Sequence, residues 1–223
     1  MRKIIVASLL ALGSAGCGLI SSDVTETPFD LPPKTYSFDS SMFGVPSGIS
    51  AEIPCGAGAL VTDCCMLPGA DCGTTPLTCE QNESGTNVCM AQMTVQQGSM
   101  TNLAQEAPKL AGFTGYLNIK IKRISYQVPN NTLSINLPDV DLYMASSTSD
   151  PSPMKFGTMP GIPAMMTTSG DVILDPNAAT VFSHFTQDIS VPFAFIAKTT
   201  IKVSTPPTGK IDVTISGTLA ASL

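Results

Sequence analysis

Downstream of Gly112 the chain alternates apolar and polar residues with a period of two, the mark of half-buried β-strands. The run LNIKIKRISYQV sets Leu117, Ile119 and Ile121 on one parity and Ile124, Tyr126 and Val128 on the other. A strand whose alternation changes phase carries an extra residue, so a bulge or bend is expected near Lys122–Arg123. TLSINL and VDLYMAS alternate in the same way on either side of Pro138-Asp139. FAFIAKTTIKV and KIDVTISGTL flank PPTG, which predicts a hairpin with Pro and Gly in turn roles. In the second of these Ile211, Val213, Ile215 and Leu219 share one face, with Gly217 among them.

The period switches once. In DPNAATVFSHFTQ, Asp175 suits an N-cap and Pro176 the first helical position. Ala178, Val181, Phe182 and Phe185 follow at i, i+3, i+4 and i+7, which predicts a short amphipathic helix covering one end or edge of a sheet. Nearer the N-terminus TYSFDSSMF and VCMAQMTVQQ read as strands, separated by a cysteine-rich excursion. Many short strands, Gly/Pro turns and one helix predict a mainly β protein: an antiparallel, Ig-like β-sandwich with a disulfide-rich insertion. NTLSINLPDVDLYMAS followed by GTMPGIPAMM also resembles the desiccation-related LEA-type (WHy-like) β-sandwich, over residues 112–220. That resemblance implies a LEA-like sandwich and no particular activity. The family's Asn-Pro signature is absent, and the cysteine insertion is foreign to it.

The N-terminus, MRKIIVASLLALGSAGCGLI, changes the picture from fold to address. Arg2 and Lys3 are a positive n-region, Ile4 to Leu12 an apolar core too short to span a bilayer, and Gly13 to Gly16 a small-residue run. Gly13-Ser14-Ala15-Gly16-Cys17 resembles the lipobox of bacterial lipoproteins, with Ser14 where that family usually has leucine. The resemblance implies cleavage before Cys17 and lipidation of that residue with diacylglycerol and an N-acyl (palmitate-type) chain. Gly18 follows, with no Asp at that place, which by the Gram-negative sorting rule implies the outer membrane, on its periplasmic or cell-surface face. The expected organisation is a signal peptide (1–16), a lipidated tether (17–34) and a β-sandwich domain (35–223) with the cysteine-rich insertion at 53–90.

Seven cysteines are an odd number for an exported chain. Lipid on Cys17 leaves Cys55, Cys64, Cys65, Cys72, Cys79 and Cys89, an even set in an oxidising compartment, expected as structural disulfides. Their spacing contains no C-x-x-C, so neither a thioredoxin-like pair nor a zinc knuckle fits. The adjacent Cys64 and Cys65 must reach different partners. Cys79 and Cys89 flank a Gly-containing turn and could bridge across a hairpin. The segment has no hydrophobic period, so crosslinks stand in for a core there.

Composition narrows the partners. Only 13% of residues are charged and the net charge is −6, two units more negative once the leader with Arg2 and Lys3 is removed. Such a chain is a poor match for nucleic acid or an anionic lipid surface. The expected partners are the membrane, through lipid on Cys17, and an envelope protein or surface polymer. Candidate chemistry is thin. His184 is the sole histidine and has no local orienting partner or nucleophile. No G-x-S-x-G, H-E-x-x-H or Walker-type loop occurs. Asp139 and Asp141 could offer two oxygens to calcium, which needs six or more. Met144, Met154, Met159, Met165 and Met166 could offer thioethers to Cu(I), though adaptable packing explains them as well. The expected function is a lipid-anchored, non-enzymatic binding or interaction module without a cofactor. The alternative is a small-ligand or metal (Ca/Cu) carrier, and a hydrolase comes third.

Overall fold

The computed structural model describes residues 26–43, 52–56, 64–67, 77–82, 84–107 and 118–222. Inward-facing residues of the alternating segments need a second apolar layer, and the chain supplies it as two antiparallel sheets. The first contains β1 (Thr27–Asp39), β10 (Lys210–Ser222), β4 (Asn118–Asn131) and β7 (Thr168–Asp171), in that spatial order. The second contains β2 (Leu77–Gln81), β3 (Asn87–Thr101), β9 (Phe193–Val203), β5 (Val140–Ala145), β6 (Met154–Met159) and β8 (Ile173–Leu174). Phe29, Phe38, Ile124, Val128, Ile211 and Val213 of one sheet share a core with Val95, Leu142, Met144, Phe193 and Ile201 of the other. The expected mainly β, antiparallel sandwich is the fold.

The phase change in β4 is a bulge. Thr218 opposes Arg123 while its neighbour Leu219 opposes Ile121, so Lys122 is the extra residue. Ile119 before the bulge and Ile124 after it therefore both face the core. A second bulge lies in β1, where Leu31 opposes Gly217 but Lys34 opposes Ile215. Pro32 and Pro33 occupy it, lacking N–H groups that a regular ladder would use. The inward parity thus passes from Phe29 and Leu31 to Tyr36 and Phe38. Pairing of β1 begins at Thr27, inside the stretch read as a tether. Prolines at 28, 32 and 33 masked the alternation, and they are tolerated because β1 is an edge strand.

Three expected features differ. The strands on either side of PPTG do not pair with each other: β9 lies in one sheet and β10 in the other. The connection instead bonds to the segment after β4, through Thr132 N to Lys210 O (2.8 Å) and Ser134 N to Thr208 O (2.9 Å). TLSINL is not a regular strand. Its alternation is real, with Leu133 and Leu137 buried, but its ladder is reduced to one bridge between Leu137 and Ile162. Asn131 holds the bend: its Oδ1 accepts from Leu133 N, and its Nδ2 donates to the carbonyls of Pro163 and Met166. Finally, the methionine- and proline-rich stretch 144–166, where no alternation predicted a strand, contains β6.

Among the described residues two named α-helices cap the sandwich. The expected one is α2 (Ala178–Thr186), with Ala178, Val181 and Phe182 buried. Its cap residue is Asn177, not Asp175; Asp175 contributes a backbone carbonyl to Ala178 N (2.9 Å). Phe182 meets Phe156 edge-on at 5.2 Å and Phe195 at 6.1 Å, filling the space beside β6 and β9. No helical period marks α1 (Leu103–Glu106), a single turn capped by Asn102, whose side chain accepts from Gln105 N. Among the described residues no helix is long and apolar enough to cross a membrane.

Candidate functional site

The cysteine cluster is built on a hairpin. Asn82 Oδ1 accepts from Ser84 N and Thr86 N, Gly85 takes φ +76°, and β2 returns as β3 with Cys79 directly opposite Cys89. These two do not bridge each other. Cys79 is bonded to Cys55 and Cys89 to Cys64. Residues 53–55 run along β3, with Cys89 N donating to Ile53 O and Cys55 N to Asn87 O, which brings Cys55 to the hairpin. The Sγ atoms of Cys55, Cys64 and Cys89 lie within 4.8 Å of one another. All three are consumed in disulfides, so the thiolates that a metal would need are gone. Cys65 is disulfide-bonded as well. The adjacent Cys64 and Cys65 therefore pin one point in two directions. Cys17, Cys72 and the signal segment lie outside the described residues.

Each remaining candidate has a structural occupation. Asp139 Oδ1 accepts from Gly161 N (2.8 Å), while Asp141 pairs with Lys155 (2.8 Å) and accepts from Thr158. That pairing holds the Lys155 ammonium above its usual pKa, and the carboxylates are turned to donors rather than to a shared centre. Met144 and Met159 are buried in the core, Met154 is half-buried in β6, and Met165 and Met166 are exposed. Five thioethers split between core and surface make no single copper site. His184 is exposed and packs edge-on against Phe185 at 4.9 Å.

The site that sequence reasoning missed is a cleft between the sheets. The β1 bulge turns Lys34 inward, and the last residue of β3, Thr101, leads through Asn102 into α1, which carries Glu106 over the opening. Lys34 Nζ and Glu106 Oε1 meet at 2.7 Å, each side chain 24% exposed. Beneath this pair Leu31, Ile124 and Ile215 of one sheet face Leu142, Phe156 and Phe195 of the other. Gly217, buried on the inward face of β10, contributes no side chain, and Ile124 Cδ1 packs 2.9 Å from where a Cβ would stand. The cleft encloses about 470 Å³ counting its open mouth, and little of that is enclosed space.

Two polar atoms at this cleft have no partner among the described residues, Thr101 Oγ1 and Glu106 Oε2. Thr101 is 1% exposed. Buried groups of this kind are normally hydrogen-bonded, because leaving one unpaired costs about 1–3 kcal/mol. Tyr36 also lines the cleft and bonds to Ser99 Oγ at 3.2 Å; burial pushes its phenol above the ordinary range despite that bond. The arrangement can hold an apolar molecule and offer it one polar anchoring point. It presents no nucleophile–base pair.

No family model matches the chain, and no curated protein matches it. The whole chain aligns with 90% of a chain of turnip yellow mosaic virus at 11% identity, with a TM-score of 0.29. A likeness at that level carries no argument about fold or function.

Proposed function

We propose that the protein is a non-enzymatic binding module, held at the outer membrane by lipid on Cys17, that takes an apolar small ligand between its sheets. One observation carries the ligand reading. An apolar cleft whose mouth holds a buried, unpartnered hydroxyl and carboxylate oxygen is built like a binding pocket: apolar walls with a few placed polar groups. The lipobox resemblance at Gly13–Cys17 supports the anchor, and two or more acyl chains on one residue make detachment negligible. Disulfides at the β2–β3 hairpin suit an oxidising envelope.

A second reading, an interaction module for an envelope protein or surface polymer, is favoured by Met165 and Met166. Both side chains stand in solvent, and Met165 adopts φ 57°. One experiment addresses the anchor and the ligand together. Wild type should fractionate with membranes and carry the mass of its lipid, whereas Cys17→Ala should lose that mass. The Cys17→Ala protein should bind a short apolar alcohol, 1-hexanol, saturably and at one site in titration calorimetry. Membrane retention of an unlipidated Cys17→Ala chain would count against the anchor, and absence of saturable 1-hexanol binding against the cleft.

A further inference from the structure

We propose that the disulfide cluster is a redox relay: a dithiol reductant opens the buried Cys64–Cys89 bond by way of the outer Cys55–Cys79 bond. Two crosslinks from different chain segments pack against each other here. The Sγ atoms of Cys55, Cys64 and Cys89 all lie within 4.8 Å of one another, although Cys55 is bonded to neither of the other two. Backbone bonds fix Cys55 in that position. Cys89 N donates to Ile53 O at 2.9 Å and Cys55 N to Asn87 O at 3.1 Å, on either side of the Pro54–Val88 bridge.

Burial separates the two bonds. Cys64 is 0% and Cys89 1% exposed, both within the core. A disulfide exchanges only when a thiolate reaches one of its sulfurs, and thiols in solvent have no such access to the inner bond. Cys55 and Cys79 are half-buried, and the adjoining Gly56 is exposed, with nothing within 4 Å of where a Cβ would stand. The outer bond is the one a reductant meets first.

The exchange balances. One thiolate of the dithiol attacks Cys79 Sγ and forms a mixed disulfide there; the Cys55–Cys79 bond breaks, and Cys55 leaves with the electron pair. The Cys55 thiolate then attacks Cys64 or Cys89 Sγ, closing a bond to one and releasing the other as a thiolate. The second thiolate of the dithiol resolves the mixed disulfide, so Cys79 is freed and the dithiol becomes a disulfide. Two electrons have passed into the protein, and its two new thiolates take up the protons that the dithiol lost. Either product removes the direct link between Cys64 and β3 while keeping Cys55 tied to the cluster.

Partial reduction of the oxidised full-length protein tests the relay. Dithiothreitol is added at an equimolar amount, thiols are trapped with N-ethylmaleimide at low pH, and the peptides are mapped without further reductant. Expected are peptides joined through Cys55–Cys64 or Cys55–Cys89, with the maleimide on Cys79. In the Cys55→Ala/Cys79→Ala protein only direct attack remains, so the inner bond should open about tenfold or more slowly than in the wild type. Wild-type maps in which Cys55 occurs only bonded to Cys79 or alkylated would overturn the relay. An inner bond that opens equally fast in both proteins would overturn it as well.

Discussion

Replacing Thr101 with valine should stabilise the ligand-free protein. Thr101 ends β3 opposite Phe193 and is buried to 1% exposure, with Oγ1 unpartnered among the described residues. Valine has the same shape, keeps the β-branched fit to a strand and removes the stranded hydroxyl. An unmade buried hydrogen bond costs about 1–3 kcal/mol, and a methyl in place of the hydroxyl adds apolar burial on the order of 0.8 kcal/mol. With partial relief the net gain should be about 1–2 kcal/mol, or roughly 3–6 °C in Tm for a chain of this length. Thr199→Val is the matched control. Thr199 is equally buried, but its Oγ1 donates to Asp139 O at 3.0 Å, so valine there strands a carbonyl and should cost about 1–2 kcal/mol. Urea unfolding under oxidising conditions, with unchanged m-values, reads both. Opposite signs are expected for the two variants. A Thr101→Val protein as destabilised as Thr199→Val would show that the Thr101 hydroxyl is satisfied in solution, and the polar anchor in the cleft would lose its basis.

Three further outcomes are expected. Gly209→Ala should cost more than about 3 kcal/mol in the same urea assay, because Gly209 has φ +83° and a Cβ there would stand 1.9 Å from Thr132 O; a loss under about 1 kcal/mol would contradict the tight β9–β10 connection. Glu26, bonded to Lys120 and then Lys122, has its carboxyl pulled down from 4.5 to about 2, so the stability it contributes is present above about pH 4.5 and is lost as pH falls through 2. Carboxyl NMR should show that low midpoint, and a midpoint near 4.5 would mean the pair does not form. Peptide mapping without reductant should recover Cys55–Cys79 and Cys64–Cys89 links, while a Cys79–Cys89 link would contradict the register-independent pairing.

Alternation carried the strands and their faces, down to the bulge at Lys122 that a change of parity requires. It could not carry partnership. β9 and β10 show equally regular alternation around a Pro-Pro-Thr-Gly connection, and nothing in a period of two says whether such strands pair or face each other across a core. The cysteines show the same limit. Asn82 and Gly85 mark the hairpin that opposes Cys79 and Cys89, yet the bridges follow residues 53–55, brought in by backbone bonds to β3 that leave no local trace. β6 was hidden by flanking prolines and methionines. The cleft was the least legible feature. Thr101, Lys34 and Glu106 are ordinary residues in sequence, and they signal a site only once a proline bulge and a one-turn helix bring them together.

The central claim is that the space between the sheets is where this protein holds its ligand. Methyl and amide NMR of the isotopically labelled protein, titrated with 1-hexanol, tests it most directly. Saturable shifts at Leu31, Thr101, Ile124, Leu142 and Ile215, with the rest of the sandwich unmoved, are the predicted result. Shifts confined to Met165 and Met166, or no saturable shift at the cleft, would contradict it.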